Sequence, residues 1–507
     1  MHDTLRNWHA HGPGKAWPAG PRVLVLGAGM AGLVAAYELE RRGYRVEVLE
    51  GGPRVGGRVH THRFGPGPGA PAVELGAMRI PTHHRHTLEY VRLLGLEGEI
   101  RPFTTLLSEE NAYLRTADGF VRIRDAARPL CEDFRRELAV HRPGLHHTHE
   151  VTVFGAWLTA VVDAIAPPDL REALRDDLRR QLLDLVAGVD LLPHLRGAAG
   201  DRVDLHSLFA AHPGLRAGCS GRLGTFLDDI LTETSPALLR LHGGMDRLPY
   251  RLAARLTGPV RLGHRVVGLR VRQHDVLVRV RAGGRTTVRH ADLVVCALPF
   301  PALRRIRVSG LDADKLAVLD AVQYCPATKV AFHCREPFWR AYGIEGGASY
   351  TGGSIRQTYY PAVDGLPGRG AALLASYTIG EEAARLGRMS PRRRHRLVLE
   401  ELGAVHPELL RPGMVLGAVS TAWGDGSPWS AGCTTRWGKS PEECAVERAR
   451  AARPVNRLFF AGEHCSTAPA WIEGAIESAL EAVDGLVARG AGRPAGVSGH
   501  HDPAGAL

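Results

Sequence analysis

Arg22-Val-Leu-Val-Leu-Gly27-Ala-Gly29-Met30-Ala31-Gly32 is the stretch whose reading decides the fold. Its first five residues are a short branched apolar run behind Pro21 and read as a buried parallel strand. Residues 33–42 carry helical periodicity, and after Gly43 the run 45–49 reads as a second strand ending on Glu50. This is a complete strand–turn–helix–strand unit for binding a dinucleotide. Gly27 permits the tight turn, Gly29 lets backbone approach a pyrophosphate, and Gly32 lets helix and strand pack closely. Met30 and Ala31 open the helix, whose free N–H groups and dipole favour phosphate. Glu50, 23 residues after Gly27, stands where an acceptor for ribose hydroxyls belongs, with Gly51 beside it.

Directly after it comes Arg54-Val-Gly56-Gly57-Arg58. A second glycine pair flanked by arginines supplies close backbone approach and cations for phosphate.

With 507 residues the chain exceeds one hydrophobic core, so two or three domains are expected. No run approaches a membrane span, and residues 1–20 lack the apolar segment of a signal peptide, so a cytoplasmic home is expected. Eight cysteines without CxxC spacing, several in apolar strand-like segments, read as buried free thiols, with no metal. The net charge of +11 comes from 64 basic residues, of which all but Lys15, Lys315, Lys329 and Lys439 are arginine. They are scattered rather than gathered on one face, which argues against a nucleic-acid partner.

In chain order, residues 1–20 and 490–507 read as disordered tails, and 65–69 as a loop. Residues 128–242 turn to long amphipathic helical segments such as 170–186, a largely helical insertion. Strands follow at 260–269, 276–280 and 291–299, so the nucleotide domain resumes after the insertion. The fold class is therefore α/β: a Rossmann-like dinucleotide domain from 21–75, 243–310 and 445–489, a second α/β substrate domain from 76–127 and 311–444, and the helical domain. Late in the chain, Leu458-Phe-Phe-Ala-Gly462-Glu463-His464 and Trp471-Ile472-Glu-Gly-Ala475 read as strand, turn and closing helix. A helix start there brings N–H groups toward a cofactor, and Glu463 can accept from hydroxyls.

Together these motifs resemble the flavin-dependent amine oxidase family, over roughly residues 20–125 and 240–485, in particular its L-amino acid oxidase branch. The resemblance implies a glutathione-reductase-type FAD domain with FAD as cofactor. It implies that Arg79, in Gly76-Ala77-Met78-Arg79-Ile-Pro81, binds a substrate carboxylate; a planar guanidinium fork suits that group. By the same carry-over Tyr377 is the second carboxylate ligand, and Lys329 holds a water near flavin N5. Trp423 lies beside the flavin, Ala470 and Trp471 border substrate and isoalloxazine, Val266 meets the adenine, and Cys433 lines the pocket. Alanine at 470 departs from a family glycine, and no histidine of residues 226–242 matches the one carried by venom-type relatives; His242 sits wrongly beside Gly243. The implied reaction turns an L-amino acid and O2 into a 2-oxo acid, ammonia and hydrogen peroxide, by a homodimer. An amine or polyamine oxidase, an oxidative decarboxylase, a flavin dehydrogenase and a non-catalytic flavin protein stay open at this point.

Overall fold

The structure, a computed structural model, describes residues 20–491 except 145, 198, 220, 367 and 425–431. Both expected tails fall almost wholly outside the described residues.

The opening strand Arg22–Leu26 lies at the centre of a five-stranded sheet in which every pairing is parallel. On one side follow Arg45–Leu49 and Val260–Arg261, on the other Leu293–Cys296 and Leu458–Phe460. Alternation assigns the two faces. Val23 and Val25 enter a core shared with the helices Met30–Arg41 and Ile472–Ala491. Leu24 and Leu26 enter another, shared with the strands Arg265–Val271 and Val276–Ala282. A strand covered on both faces has no solvent side, which is why its sequence is continuously apolar. Each such Val or Leu contributes about 1.5–3 kcal/mol on full burial.

The second layer is a seven-stranded sheet containing Val415–Trp423, Ala327–Cys334, Ala371–Ile379, Arg356–Tyr359 and Ala348–Gly352 in that spatial order, ended by Tyr113–Thr116 and Gly119–Arg122. The expected α/β class, with its helical insertion, holds. The helices run from Ala127–His141 to Gly221–Glu233 and include the apolar His149–Ile165.

Two details differ from expectation. The strand expected over 260–269 is two strands, Val260–Arg261 and Arg265–Val271, in different sheets, because Gly263 at φ +69° turns the chain between them. The stretch given to the helical insertion ends in a strand, Leu238–Leu241, which pairs with Ile80–Pro81 and Ile100–Pro102. Among the described residues all cysteines are free thiols, and no helix is long and apolar enough to cross a membrane.

Candidate active site

A single cavity of about 1280 Å³ runs from the first glycine turn to the helical insertion. At one end it is lined by Gly27, Gly29, Met30, Ala31, Glu50, Gly51 and Val266. Its middle is bordered by Arg54, Gly57, Arg58, Gly462, Glu463, Ile472 and Ala475. The far end carries Gly76, Ala77, Met78, Arg79, Lys329, Tyr377, Trp423, Cys433, Ala470 and Trp471. Of the expected site residues only Gly32 is off the wall, and its expected part was packing. A Cβ on Gly32 would lie 1.9 Å from the Gly27 carbonyl oxygen, whereas one on Gly29 would meet nothing nearer than the Gly57 Cα at 4.0 Å.

The residues at the first end suit a dinucleotide. Helix Met30–Arg41 begins with no capping side chain and no acid in its first turn, so its leading N–H groups are open to an anion. Glu50 accepts from Ala28 N at 2.8 Å and from Gly52 N at 2.7 Å. A carboxylate has about four acceptor sites, so lone pairs remain for ribose hydroxyls. Burial raises its pKa against those two N–H bonds.

The two arginines that flank the second glycine pair line the cavity and are held in place by bonds within the protein. Arg54 donates to the carbonyls of Val55, Val59 and Gly57 and so clasps its own loop. Arg58 donates to Glu463 Oε1 at 2.6 Å and to the Gly432 carbonyl at 2.9 Å. Glu463, on the cavity wall, in turn also accepts from Thr434 Oγ1 at 2.9 Å and Ala470 N at 2.9 Å. Burial opposes its charge, but Arg58 holds its pKa below the usual carboxylate range.

Strand register explains the third wall. Ala327 pairs with Ile379 and Trp423, and Lys329 with Tyr377 and Thr421. Residues two apart share a face, so all six point into the cavity. Trp423 Nε1 donates to the Leu75 carbonyl at 2.7 Å. Lys329 Nζ donates to the Gly76 carbonyl at 2.7 Å and the Glu74 carbonyl at 3.3 Å, and stands 4.6 Å from the Tyr377 ring centroid. Burial, with Arg79 adding to it and Glu74 opposing, brings Lys329 down to about 7. Burial also pushes Glu74 up to about 7 and raises Tyr377.

Arg79 is buried, 7% exposed, immediately before the strand Ile80–Pro81. Its guanidinium lies 5.8 Å from the ring centroids of both Phe103 and Trp471, donates to Tyr359 Oη at 3.2 Å and pairs with Glu233. Burial works against its charge, and Glu233 overcomes this and raises the pKa. Glu233 is a residue that sequence reasoning missed, as is Asp229 one turn earlier on the same helix; both line the cavity. Asp229 accepts from Trp437 Nε1, and burial pushes it up to about 7. Phe226 and Trp437, in edge contact at 5.7 Å between centroids, line the cavity beside these acids. No spacing rule flags these residues; they read as an ordinary helix face. His242 sits off the cavity wall, its Nδ1 3.3 Å from Glu99 Oε2.

Ala470 keeps a glycine-like backbone, φ +67°. For an L-residue this conformation costs about 1–2 kcal/mol, and such strain gathers at functional sites. Ala470→Gly is expected to raise stability slightly, by about 0.5–1 kcal/mol once glycine's added unfolded-state entropy is deducted. A thermal melt checks this; a fall in Tm means the position is not strained.

A family model described as flavin containing amine oxidoreductase matches residues 30–487. The flavin-dependent L-tryptophan oxidase RebO of Lentzea aerocolonigenes is 56% identical over 468 residues, 92% of this chain and 98% of that protein. The L-amino-acid oxidase of Mus musculus is 30% identical over 91% of this chain and 70% of its own length. Among solved structures, a putrescine oxidase bound to putrescine matches with a TM-score of 0.61 over 93% of this chain and 99% of that one. At 19% identity this is a likeness of fold.

Proposed function

Because the chain belongs to the flavin-containing amine oxidoreductase family, we propose that it oxidises an L-α-amino acid with an aromatic side chain of indole size. The product is the 2-imino acid, which water converts to the 2-oxo acid and ammonia. The cofactor is FAD, held by the glycine turn, the open N-terminus of helix Met30–Arg41 and Glu50. FAD held there would supply the acceptor for the Cα hydrogen and its electron pair, with oxygen as the final two-electron acceptor and hydrogen peroxide as product.

The observation that carries this reading is Arg79, a buried cation on the wall of the cavity. A carboxylate matches the guanidinium's fork and fixes orientation, whereas a simple amine offers nothing to exchange for Glu233, the partner Arg79 holds in the structure. Tyr377, Ala470 and Trp471 line the same cavity; in this reading Tyr377 is the second carboxylate ligand, and Ala470 and Trp471 border the substrate. Such positioning supplies most of the rate gain available to the protein, since it replaces a chance encounter by a held geometry. Phe226 and Trp437 offer flat apolar walls to an aromatic side chain. The tryptophan oxidase at 56% identity supports the same size of guest. Under this reading 21–75, 243–310 and 445–489 form the FAD domain, 76–127 and 311–444 the substrate domain, and 128–242 the helical domain.

Peroxide release and oxygen uptake across L- and D-amino acids and simple amines test the proposal. L-tryptophan and other aromatic L-amino acids are expected to react fastest. The matching amines are expected at least about 100-fold slower, the effect of losing some 3 kcal/mol of carboxylate binding. Oxidation of tryptamine as fast as L-tryptophan would sink the carboxylate clamp. An amide product in the mass spectrum would mark an oxidative decarboxylase instead.

A further inference from the structure

We propose that Glu233 receives the substrate's ammonium group and holds the proton it gives up; this rests on the L-amino acid reading of the site. Three strands place the residue. Leu238–Leu241 pairs Leu239 with Ile80 and Leu238 with Pro81, just beyond Arg79. Thr82 N donates to the Ala237 carbonyl at 3.1 Å, and Phe103 N to the Leu238 carbonyl at 2.9 Å. The Thr105 hydroxyl bonds the Glu233 carbonyl at the end of helix Gly221–Glu233. The carboxylate is thus fixed opposite Arg79 from both sides of the chain.

The pair has the charge pattern of its guest. Arg79 and Glu233 lie on the same wall, one buried and the other with 21% of its side chain exposed to the cavity. An amino acid is a zwitterion. As it enters, its carboxylate replaces Glu233 at the guanidinium, and its ammonium takes up the freed Glu233. Every charge is paired before and after, so the exchange avoids the cost of a lone buried ion. A purely structural pair would gain nothing from facing the cavity, and an amine or a carboxylic acid alone would strand one member.

The chemistry follows from the same contact. The ammonium N–H bond breaks and its proton forms an O–H bond on Glu233 Oε, so that one carboxylate and one ammonium become one carboxyl and one neutral amine. Only the neutral amine has the lone pair that lets the Cα hydrogen leave with its electrons. The groups facing Glu233 are Arg79, Lys329, Tyr359, Tyr377 and Asp229. When the substrate carboxylate engages Arg79, the Glu233 carboxylate is released from the guanidinium and left beside the ammonium.

The test uses the FAD-loaded wild type, Glu233→Gln and Glu233→Asp. For an L-amino acid that wild type oxidises, kcat/KM of Glu233→Gln is expected to fall about 100-fold at neutral pH, the low end for a general base. Its acid limb should move up to the ammonium pKa of the free amino acid, so that the two enzymes converge at high pH. Glu233→Asp should recover part of the loss. Calorimetry supplies a second readout: Glu233→Gln should bind the amino acid more weakly, yet bind the desamino carboxylate (indole-3-propionate) as tightly as wild type or more so. An unchanged acid limb, or equal loss of affinity for both ligands, would overturn the assignment and leave Glu233 as a support for Arg79. A wild type that oxidises no L-amino acid would overturn the reading of the whole site, while the two binding curves would still decide the case of Glu233.

Discussion

Replacing Arg79 by alanine is expected to lower kcat/KM for an aromatic L-amino acid by about 10³-fold, some 4 kcal/mol at 1.4 kcal/mol per tenfold. The figure is within the range for removing one partner of a buried, hydrogen-bonded charge pair. Lysine at 79 should restore little, because a point charge cannot offer two parallel N–H bonds or lie flat between Phe103 and Trp471. A loss of activity caused by misfolding is separable from a loss of binding. Arg79→Ala strands the Glu233 charge, so its Tm should drop. The double variant Arg79→Met, Glu233→Gln removes both charges, and its Tm should return while its activity does not. Near-normal turnover in Arg79→Ala would refute the clamp; recovery of activity in the double variant would do the same.

Gly29 and Gly32 are expected to fail in different ways when changed to alanine. At Gly32 the new methyl falls 1.9 Å from a backbone oxygen, so helix and strand must part by about an ångström. Overpacking against backbone costs about 3 kcal/mol or more, and parting the two elements also removes the anion site at the helix start. Gly32→Ala should therefore melt early and bind FAD poorly, with or without excess cofactor. At Gly29 the methyl meets no protein atom closer than 4.0 Å. Gly29→Ala should melt as apoprotein like wild type, yet lose FAD affinity at least about 100-fold, because a 3 kcal/mol clash falls on the cofactor alone. Flavin absorbance per protein and melts with and without added FAD distinguish the two. A Gly29→Ala protein that stays fully yellow would show that no phosphate passes this turn.

The legible parts of the site were those in which one residue has one physical use. The run 23–26 is apolar at every position because both its faces are covered, and three glycines in fixed spacing between a strand and a helix point to a dinucleotide turn. Arg79 stood out through the family resemblance, and a planar guanidinium fork gives that carry-over a physical sense. What stayed hidden was everything decided by pairing between distant strands. Nothing in 327–331 announces that Lys329 will stand beside Tyr377; that is a matter of register, fixed only when three strands align. Glu233 was invisible for the same reason: an acid at a helix end looks like solvent-facing charge until Leu238–Leu241 brings it against Arg79. Arg54 and Glu463 carry a second use that no spacing showed: Arg54 clasps carbonyls of its own loop, and Glu463 ties together Arg58, Thr434 and Ala470.

The parallel sheet also sets a timetable for synthesis. Its middle strand is made well before its neighbour on one side, which begins about 270 residues later, as the Arg22 N to Asp292 bond spans, and the edge strand beyond it comes later still. Closing so long a loop is only modestly dearer than closing a short one, about 0.6 kcal/mol per doubling of length. The delay is what matters: with chain growth at roughly 5–20 residues per second, an apolar strand waits well over ten seconds with one edge bare. Expression at lower temperature or with more chaperone should accordingly raise the soluble yield of this chain more than it does for proteins whose strands pair with near neighbours.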